Sequence, residues 1–284
     1  MSHGSVPHGG LEGFAVLVTG GGSGIGLGCA RRFVADGASV TICGRTEERL
    51  LAASASLRAD AAAGASVQHV VADVTEEDAV AAAVALAARP TGMLDGVVAC
   101  AGGSETVGPL VTMDTEAWRR TLDLNITGTM LTIKHAGRLM ARAAHGSIVG
   151  ISSIASSNIH RWFGPYGVGK AGIDHVCMLA ADELGASGVR VNAIRPGLVD
   201  TELVGFVTAG GEVLDDYLAC MPISRVGTVD DVAAMARFLV GPESTWVTGQ
   251  CIGVDGGHHL RRGPDYRSVL EPAFGADALR GLVD

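Results

Sequence analysis

The stretch Phe14-Ala15-Val16-Leu17-Val18-Thr19-Gly20-Gly21-Gly22-Ser23-Gly24-Ile25-Gly26 decides how the chain is read. An apolar, β-branched run feeds a glycine-rich turn, and a helical pattern begins at Gly24. A strand, such a turn and a helix in that order make a nucleotide site for a physical reason. Glycines let the backbone approach a pyrophosphate, and the unsatisfied N–H groups at the helix start attract anions. A tight structural turn is the plain alternative, which a lone glycine cluster does not exclude.

Outward from this turn, short apolar runs alternate with Ala-rich helical stretches. Strands are expected at Ala15–Thr19, Ser39–Cys43, Val67–Val71, Gly96–Cys100, Ser147–Ile151, Val189–Ile194 and Cys251–Val254. Helices are expected over Gly24–Asp36, Glu47–Ala63, Glu76–Ala88, Thr115–Arg142, Tyr166–Gly185 and Thr228–Val240. The strand runs are apolar throughout rather than alternating, as burial on both faces requires. The pattern predicts an α/β fold: a doubly wound, parallel, seven-stranded sheet with helices on both faces. No linker or repeat divides it, so residues 13–257 read as one dinucleotide-binding and catalytic domain. Residues 1–12 read as a flexible tail, residues 203–225 as an insertion above the sheet and residues 258–284 as a C-terminal extension.

The bulk numbers bound the function. A net charge of −9 argues against a nucleic-acid partner. No apolar run reaches the ~18 residues that span a bilayer, and the first ten residues lack the apolar centre of a signal peptide. Six cysteines stand without a C-x-x-C pair, which fits a reducing cytoplasm and no metal site. His258-His259 lacks metal-ligand spacing and reads as a loop feature.

The turn has the spacing T-G-x-x-x-G-x-G, and the rest of the chain extends the pattern in order. Asp73 follows the third strand, and Ala99-Cys100-Ala101-Gly102 follows the fourth. Asn125 sits in the long fourth helix. Ser153 lies thirteen positions before Tyr166, and Tyr166-Gly167-Val168-Gly169-Lys170 is Y-x-x-x-K. Pro196-Gly197-Leu198-Val199-Asp200-Thr201 is P-G-x-x-x-T, and Val254-Asp255-Gly256-Gly257 closes the last strand. From Phe14 to Gly257 the chain resembles the short-chain dehydrogenase/reductase family, with 3-oxoacyl-carrier-protein reductases and alcohol dehydrogenases among its members.

The resemblance implies a Rossmann fold and a set of cofactor contacts: Gly20, Ser23, Gly24, Ile25, Gly26, Asp73, Val74, Ala101, Gly102, Tyr166, Lys170, Pro196, Gly197, Val199 and Thr201. Asp73 takes the place of the family's adenine-binding aspartate. Ala99-Cys100 stands where the family has two asparagines. The implied catalytic set is Asn125, Ser153, Tyr166 and Lys170, with Asn125 bending its helix and holding a water that relays protons to Lys170. Family members pair their fourth and fifth long helices, which predicts a homotetramer or homodimer.

The residues themselves support that chemistry. Tyr166 and Lys170, four apart on a helix, share one face. An ammonium beside a phenol is expected to lower the phenol pKa and make it a proton donor or base. Ser153, just past the fifth strand, is placed to bind the substrate oxygen; its neighbour Ser152 is the alternative. At the end of the second strand stands Gly44-Arg45 rather than a carboxylate, so Arg45 is free to bind a 2′-phosphate, which favours NADP(H) with NAD(H) as the alternative. The expected activity is hydride transfer between a nicotinamide and a small-molecule carbonyl or secondary alcohol. A non-catalytic NADP-binding sensor on the same fold is the rival. Loops 103–108, 156–163 and 203–221 are expected to shape the pocket, and Trp162 and Phe163 its apolar wall. The extension is expected to dock, crossing to a neighbouring subunit.

Overall fold

β1 (Ala15–Thr19) is buried along its whole length, as are β4 (Gly96–Ala99) and β5 (Gly146–Ile151). Only a sheet covered on both faces buries every residue of a strand. The computed structural model describes residues 10–283, and in it β2 (Ser39–Gly44), β3 (Val67–Val71), β6 (Val189–Pro196) and β7 (Cys251–Val254) complete one parallel sheet. The order is β3-β2-β1-β4-β5-β6-β7. Chain direction reverses its progress between β1 and β4, which opens a crevice at the carboxyl ends of these two strands.

One face is packed by α1 (Gly24–Ala35), α2 (Glu47–Ala59) and α9 (Val229–Val240), through Phe33, Leu50, Leu57 and Leu239. The other is packed by α3 (Glu77–Ala88), α5 (Gly128–Ala143) and α6 (Pro165–Gly185), through Val80, Val84, Met140 and Ile173. Ile133 and Ile173 belong to this second core. Met130 and Met178, on the two long helices expected to pair between subunits, are exposed.

Four sequence expectations are corrected here. Leu11, placed in the flexible tail, is fully buried, and its N–H donates to the Asp36 carbonyl at 2.7 Å. Residues 1–9 lie outside the described residues. β4 stops at Ala99 rather than Cys100, because the N–H groups of Cys100 and Ala101 donate to the Thr19 hydroxyl, each at 3.1 Å. That threonine fastens β1 to β4 at the point where the two asparagines are missing.

The third correction concerns the single helix expected over Thr115–Arg142. It divides into α4 (Thr115–Leu122), a π-helical turn at Asp123–Thr127, and α5. Asn125 Nδ2 donates to the Thr121 carbonyl at 2.7 Å and so competes with the regular i→i−4 ladder, a recognised cause of such bulges.

The fourth concerns the extension. The insertion carries α7 (Gly205–Thr208) and α8 (Glu212–Cys220), and the extension folds as α10 (Arg267–Phe274) and α11 (Ala276–Leu279). Tyr266 and Leu270, expected to cross to a neighbour, instead pack in their own chain against Leu198, Val207, Val213, Tyr217 and Met221. Arg262 pairs with Asp216, and Arg261 donates to the Ala219 carbonyl at 2.7 Å, so both arginines tie the tail to α8.

Candidate active site

The glycine turn after β1 is shaped by contacts that admit no side chain at two positions. A Cβ on Gly26 would lie 2.3 Å from the Gly20 carbonyl oxygen, and one on Gly20, at φ 65°, would press on the Ala101 backbone at 3.0 Å. Helix α1 therefore begins close against the strand ends. Its N-cap, Ser23, makes no side-chain capping bond, and the first turn holds no acidic residue. The helix start thus keeps N–H donors for an anion. Thr201, from the loop after β6, faces Gly24 across the crevice, within 3.5 Å of where a Cβ there would sit. This cradle fits a dinucleotide pyrophosphate.

The other residues expected to touch the cofactor differ in their freedom to do so. Ile25 is half-buried in α1. Asp73 is half-buried, and its carboxylate accepts from the N–H and hydroxyl of Thr75 at 3.0 and 2.8 Å. Val74 is buried and packs where a Cβ on Gly128 would sit, so its side chain serves the core. Pro196 ends β6, the Gly197 N–H donates to the Val254 carbonyl at 3.0 Å, and Val199 is buried and bridged to Gly227. Arg45 is exposed just past β2. Arg49, which the sequence reading missed, stands beside the turn: its Cβ lies 3.7 Å from where a Cβ on Gly22 would be. Its guanidinium reaches Glu202 on the opposite bank at 3.6 Å. No motif flags it; the fold of α2 brings it there.

At the floor, Asn125 is fully buried. Its amide donates to the Gly103 carbonyl at 2.7 Å, and its oxygen accepts from the Gly103 N–H at 3.3 Å. Gly102 is held between Asn125 and Lys170: a Cβ there would meet Asn125 Oδ1 at 2.7 Å and Lys170 Nζ at 3.1 Å. Lys170 is 4% exposed, and its ammonium donates to the Ile151 carbonyl, the last of β5, at 2.8 Å. Nζ lies 5.6 Å from the centre of the Tyr166 ring.

The two serines separate cleanly. Ser152 donates to the Lys170 carbonyl at 3.0 Å and fastens α6 to the sheet, whereas Ser153 is hydrogen-bonded to Tyr166. Ser153 Oγ also accepts from the Ala155 N–H at 3.1 Å, which fixes its direction. Tyr166 begins α6 just after Pro165 and stays partly exposed.

The electrostatics differ from the sequence expectation. Lys170 was expected to draw the Tyr166 pKa down. Instead burial holds the phenol above its ordinary value, the Ser153 hydrogen bond pulling the other way. Burial also pushes the Lys170 ammonium down to about 8. Desolvation penalises the charged form of each group, and it is the largest cause at both.

Above the floor, Phe163 lies 6.0 Å from the Tyr166 ring, and Gly108 pairs with Phe163, so loops 103–108 and 156–163 meet over the site. Phe274 of the extension packs against Gly108. Trp162, with φ 64°, packs against the same cluster as Phe163 and Phe274, and the Arg161 guanidinium lies 4.4 Å from the centre of its ring.

A family model described as enoyl-(acyl-carrier-protein) reductase matches residues 20–259. The chain belongs to the short-chain dehydrogenase/reductase family. Among its relatives, cis-4-hydroxycyclohexanecarboxylate dehydrogenase of Sinomonas cyclohexanicum is 39% identical over 242 residues, covering 85% of this chain and 95% of the relative. A short-chain dehydrogenase/reductase structure from Mycobacterium ulcerans is 56% identical, with TM-score 0.94, covering 96% of this chain and 99% of the other. The structure of levodione reductase is 27% identical, with TM-score 0.82, covering 88% and 98%. As a member of this family the chain is an NAD(P)-dependent dehydrogenase/reductase acting on CH–OH or C=O groups. Among the described residues, no helix is long and apolar enough to cross a membrane.

Proposed function

We propose that the chain reduces a small carbonyl compound, or oxidises the matching secondary alcohol, with Tyr166 as the proton-transfer group. The observation that carries this reading is the meeting of Tyr166, Ser153 and Lys170 at the carboxyl end of β5, beside the glycine cradle. The nicotinamide, when bound, supplies or accepts the hydride. Tyr166 holds the transferable proton at Oη, and Ser153 orients the substrate oxygen beside it. A phenol kept protonated by burial is a donor at neutral pH, which suits the reductive direction. Lys170 brings positive charge under the phenol and holds its own position through the Ile151 carbonyl. Asn125 acts at one remove, by fixing Gly103 and opening the π-helical turn; a water beside it relaying protons to Lys170 belongs to the same proposal.

Stopped-flow observation of NADPH and NADH absorbance against a panel of cyclic and open-chain ketones tests the activity. Absence of cofactor oxidation with every ketone would defeat the reading. The same assay carries a pH prediction. A lysine whose pKa is depressed to about 8 is cationic below that pH and neutral above it. Because kcat/KM reports groups of the free enzyme, kcat/KM for reduction is expected to fall as pH rises through about 8. A flat profile from pH 6 to 10 would show that the Lys170 charge is not needed.

For the cofactor we propose a preference for NADP(H), carried by Arg45 and assisted by Arg49. Gly44 offers no carboxylate to repel a 2′-phosphate, and both guanidiniums lie on the β2–α2 bank of the cradle. Arg45→Ala is expected to weaken NADPH about tenfold or more, the loss of a charge-assisted hydrogen bond, and to leave NADH nearly unchanged. Titration by fluorescence decides it: equal losses for both cofactors would remove Arg45 from 2′-phosphate recognition.

A cyclic skeleton is the substrate shape we favour. The wall of Phe163 and neighbouring rings suits a compact apolar ring, and one relative is named for a hydroxycyclohexane compound. We also propose that copies of the chain assemble through α4–α6, where exposed Met130, Val168, Met178 and Leu179 leave an apolar stripe.

A further inference from the structure

The extension brings a second pair of phenols toward Tyr166. Tyr217, on α8, and Tyr266, just before α10, are each 4% exposed, and their hydroxyl oxygens are 2.9 Å apart. Phe163 bridges the two groups: its ring is 4.7 Å from Tyr266 and 6.0 Å from Tyr166. The rings of Tyr166, Phe163, Tyr266 and Tyr217 thus form one continuous chain of edge contacts, Tyr217 and Tyr266 closing it at 6.0 Å. His160 and His258 continue the wall, at 5.9 and 5.5 Å from the Tyr217 ring.

Two hydroxyls carry two protons, and one hydrogen bond between them uses only one. Among the described residues no other protein group bonds to either oxygen. The pair therefore keeps one donor and several acceptor lone pairs inside an aromatic enclosure, where an unspent donor is costly. Burial raises both phenols, Tyr266 to about 12, so the pair stays neutral. The two histidines of the wall are also held toward their neutral forms by burial, His160 at about 4. Arg262 of the tail is engaged by Asp216. A neutral oxygen would find both a donor and an acceptor at the pair, whereas a carboxylate, which only accepts, could use just the one donor.

We propose that the Tyr217–Tyr266 hydroxyl pair binds a second, neutral oxygen of the substrate, a ketone or hydroxyl on an apolar skeleton remote from the carbon that reacts at Tyr166. The substrate class is then hydroxyketones, diketones or diols rather than simple ketones or keto acids, and the extension is a specificity element acting on its own chain's site. This rests on the carbonyl/alcohol reading of Tyr166.

The experiment compares two ketones of equal size, 4-hydroxycyclohexanone and 4-methylcyclohexanone, by kcat/KM with NADPH and NADH. The wild-type chain is expected to prefer the hydroxyl compound. Tyr266→Phe and Tyr217→Phe should each cut that preference by about 5- to 50-fold, mostly through KM, as loss of a buried hydrogen bond to substrate predicts. The double variant should lose little more, because the hydroxyls act as one unit. A hydroxyl pair that merely fastens the tail would lower both ketones in the same proportion, and an unchanged ratio in the variants would overturn the proposal. So would a wild-type chain that prefers the methyl compound, a result that does not depend on any variant folding. If neither ketone, nor any in the wider panel, oxidises either cofactor, the carbonyl reading itself fails and this proposal falls with it.

Discussion

Tyr166→Phe is expected to lower kcat for carbonyl reduction by about 10²–10⁴-fold, the contribution of a positioned proton donor. The substitution removes one oxygen and keeps the ring, so its contact with Phe163 at 6.0 Å persists. Pro165 still starts the helix, and Lys170 still donates to the Ile151 carbonyl. What disappears is the proton at Oη and the hydrogen bond with Ser153. Cofactor affinity should therefore change little, and calorimetric titration of NADPH against the variant checks that. A variant that reduces its ketone at the wild-type rate would rule out Tyr166 as the donor.

Removal of residues 261–284 has the second largest expected effect. The cut takes away Tyr266 and Leu270, both nearly fully buried, and bares Val213, Tyr217 and Leu198. Each lost large apolar side chain is worth about 1.5–3 kcal/mol of burial. For a chain of this size about 1 kcal/mol moves Tm by roughly 2–4 °C, so a fall of about 10 °C is expected. The substrate KM should rise as well, because Phe274 packs on Gly108 over the site. None of Gly20–Gly26 belongs to the cluster that the cut opens, and NADPH binding should survive it. Differential scanning calorimetry and steady-state kinetics read these effects; unchanged Tm and KM would make the tail a passenger.

What the sequence made legible was local. Strand boundaries came within a residue or two because an apolar run ended by glycine or a charge is a short-range signal, as at Ser39–Gly44 and Val67–Val71. The turn at Gly20–Gly26 was equally plain, since steric demands on glycine are written in the residues themselves. What escaped depended on distant partners. The division at Asn125 arises from its bond to Thr121 together with anchoring by Gly103, 22 residues away. Leu11 read as tail because its core neighbours are spread along the chain. The extension was expected to dock, but its address on α8 rests on pairs such as Tyr217–Tyr266. The Tyr166 pKa went the other way because charge proximity is visible in spacing and burial is not.

The placement of Tyr266 also has a consequence for how the protein is made. A nascent chain emerges N-terminus first and folds largely in that order. The cradle between β1 and β4 is complete once the chain has passed Thr201, but α8 must wait for residues 266–274 before its apolar side is covered. Until residues 266–274 have been made, Tyr217 and Val213 present a sticky face to the ribosome's surroundings. A message that stops early, or a fusion that holds the C-terminus away, would yield a protein with its chemistry assembled and its aggregation guard missing.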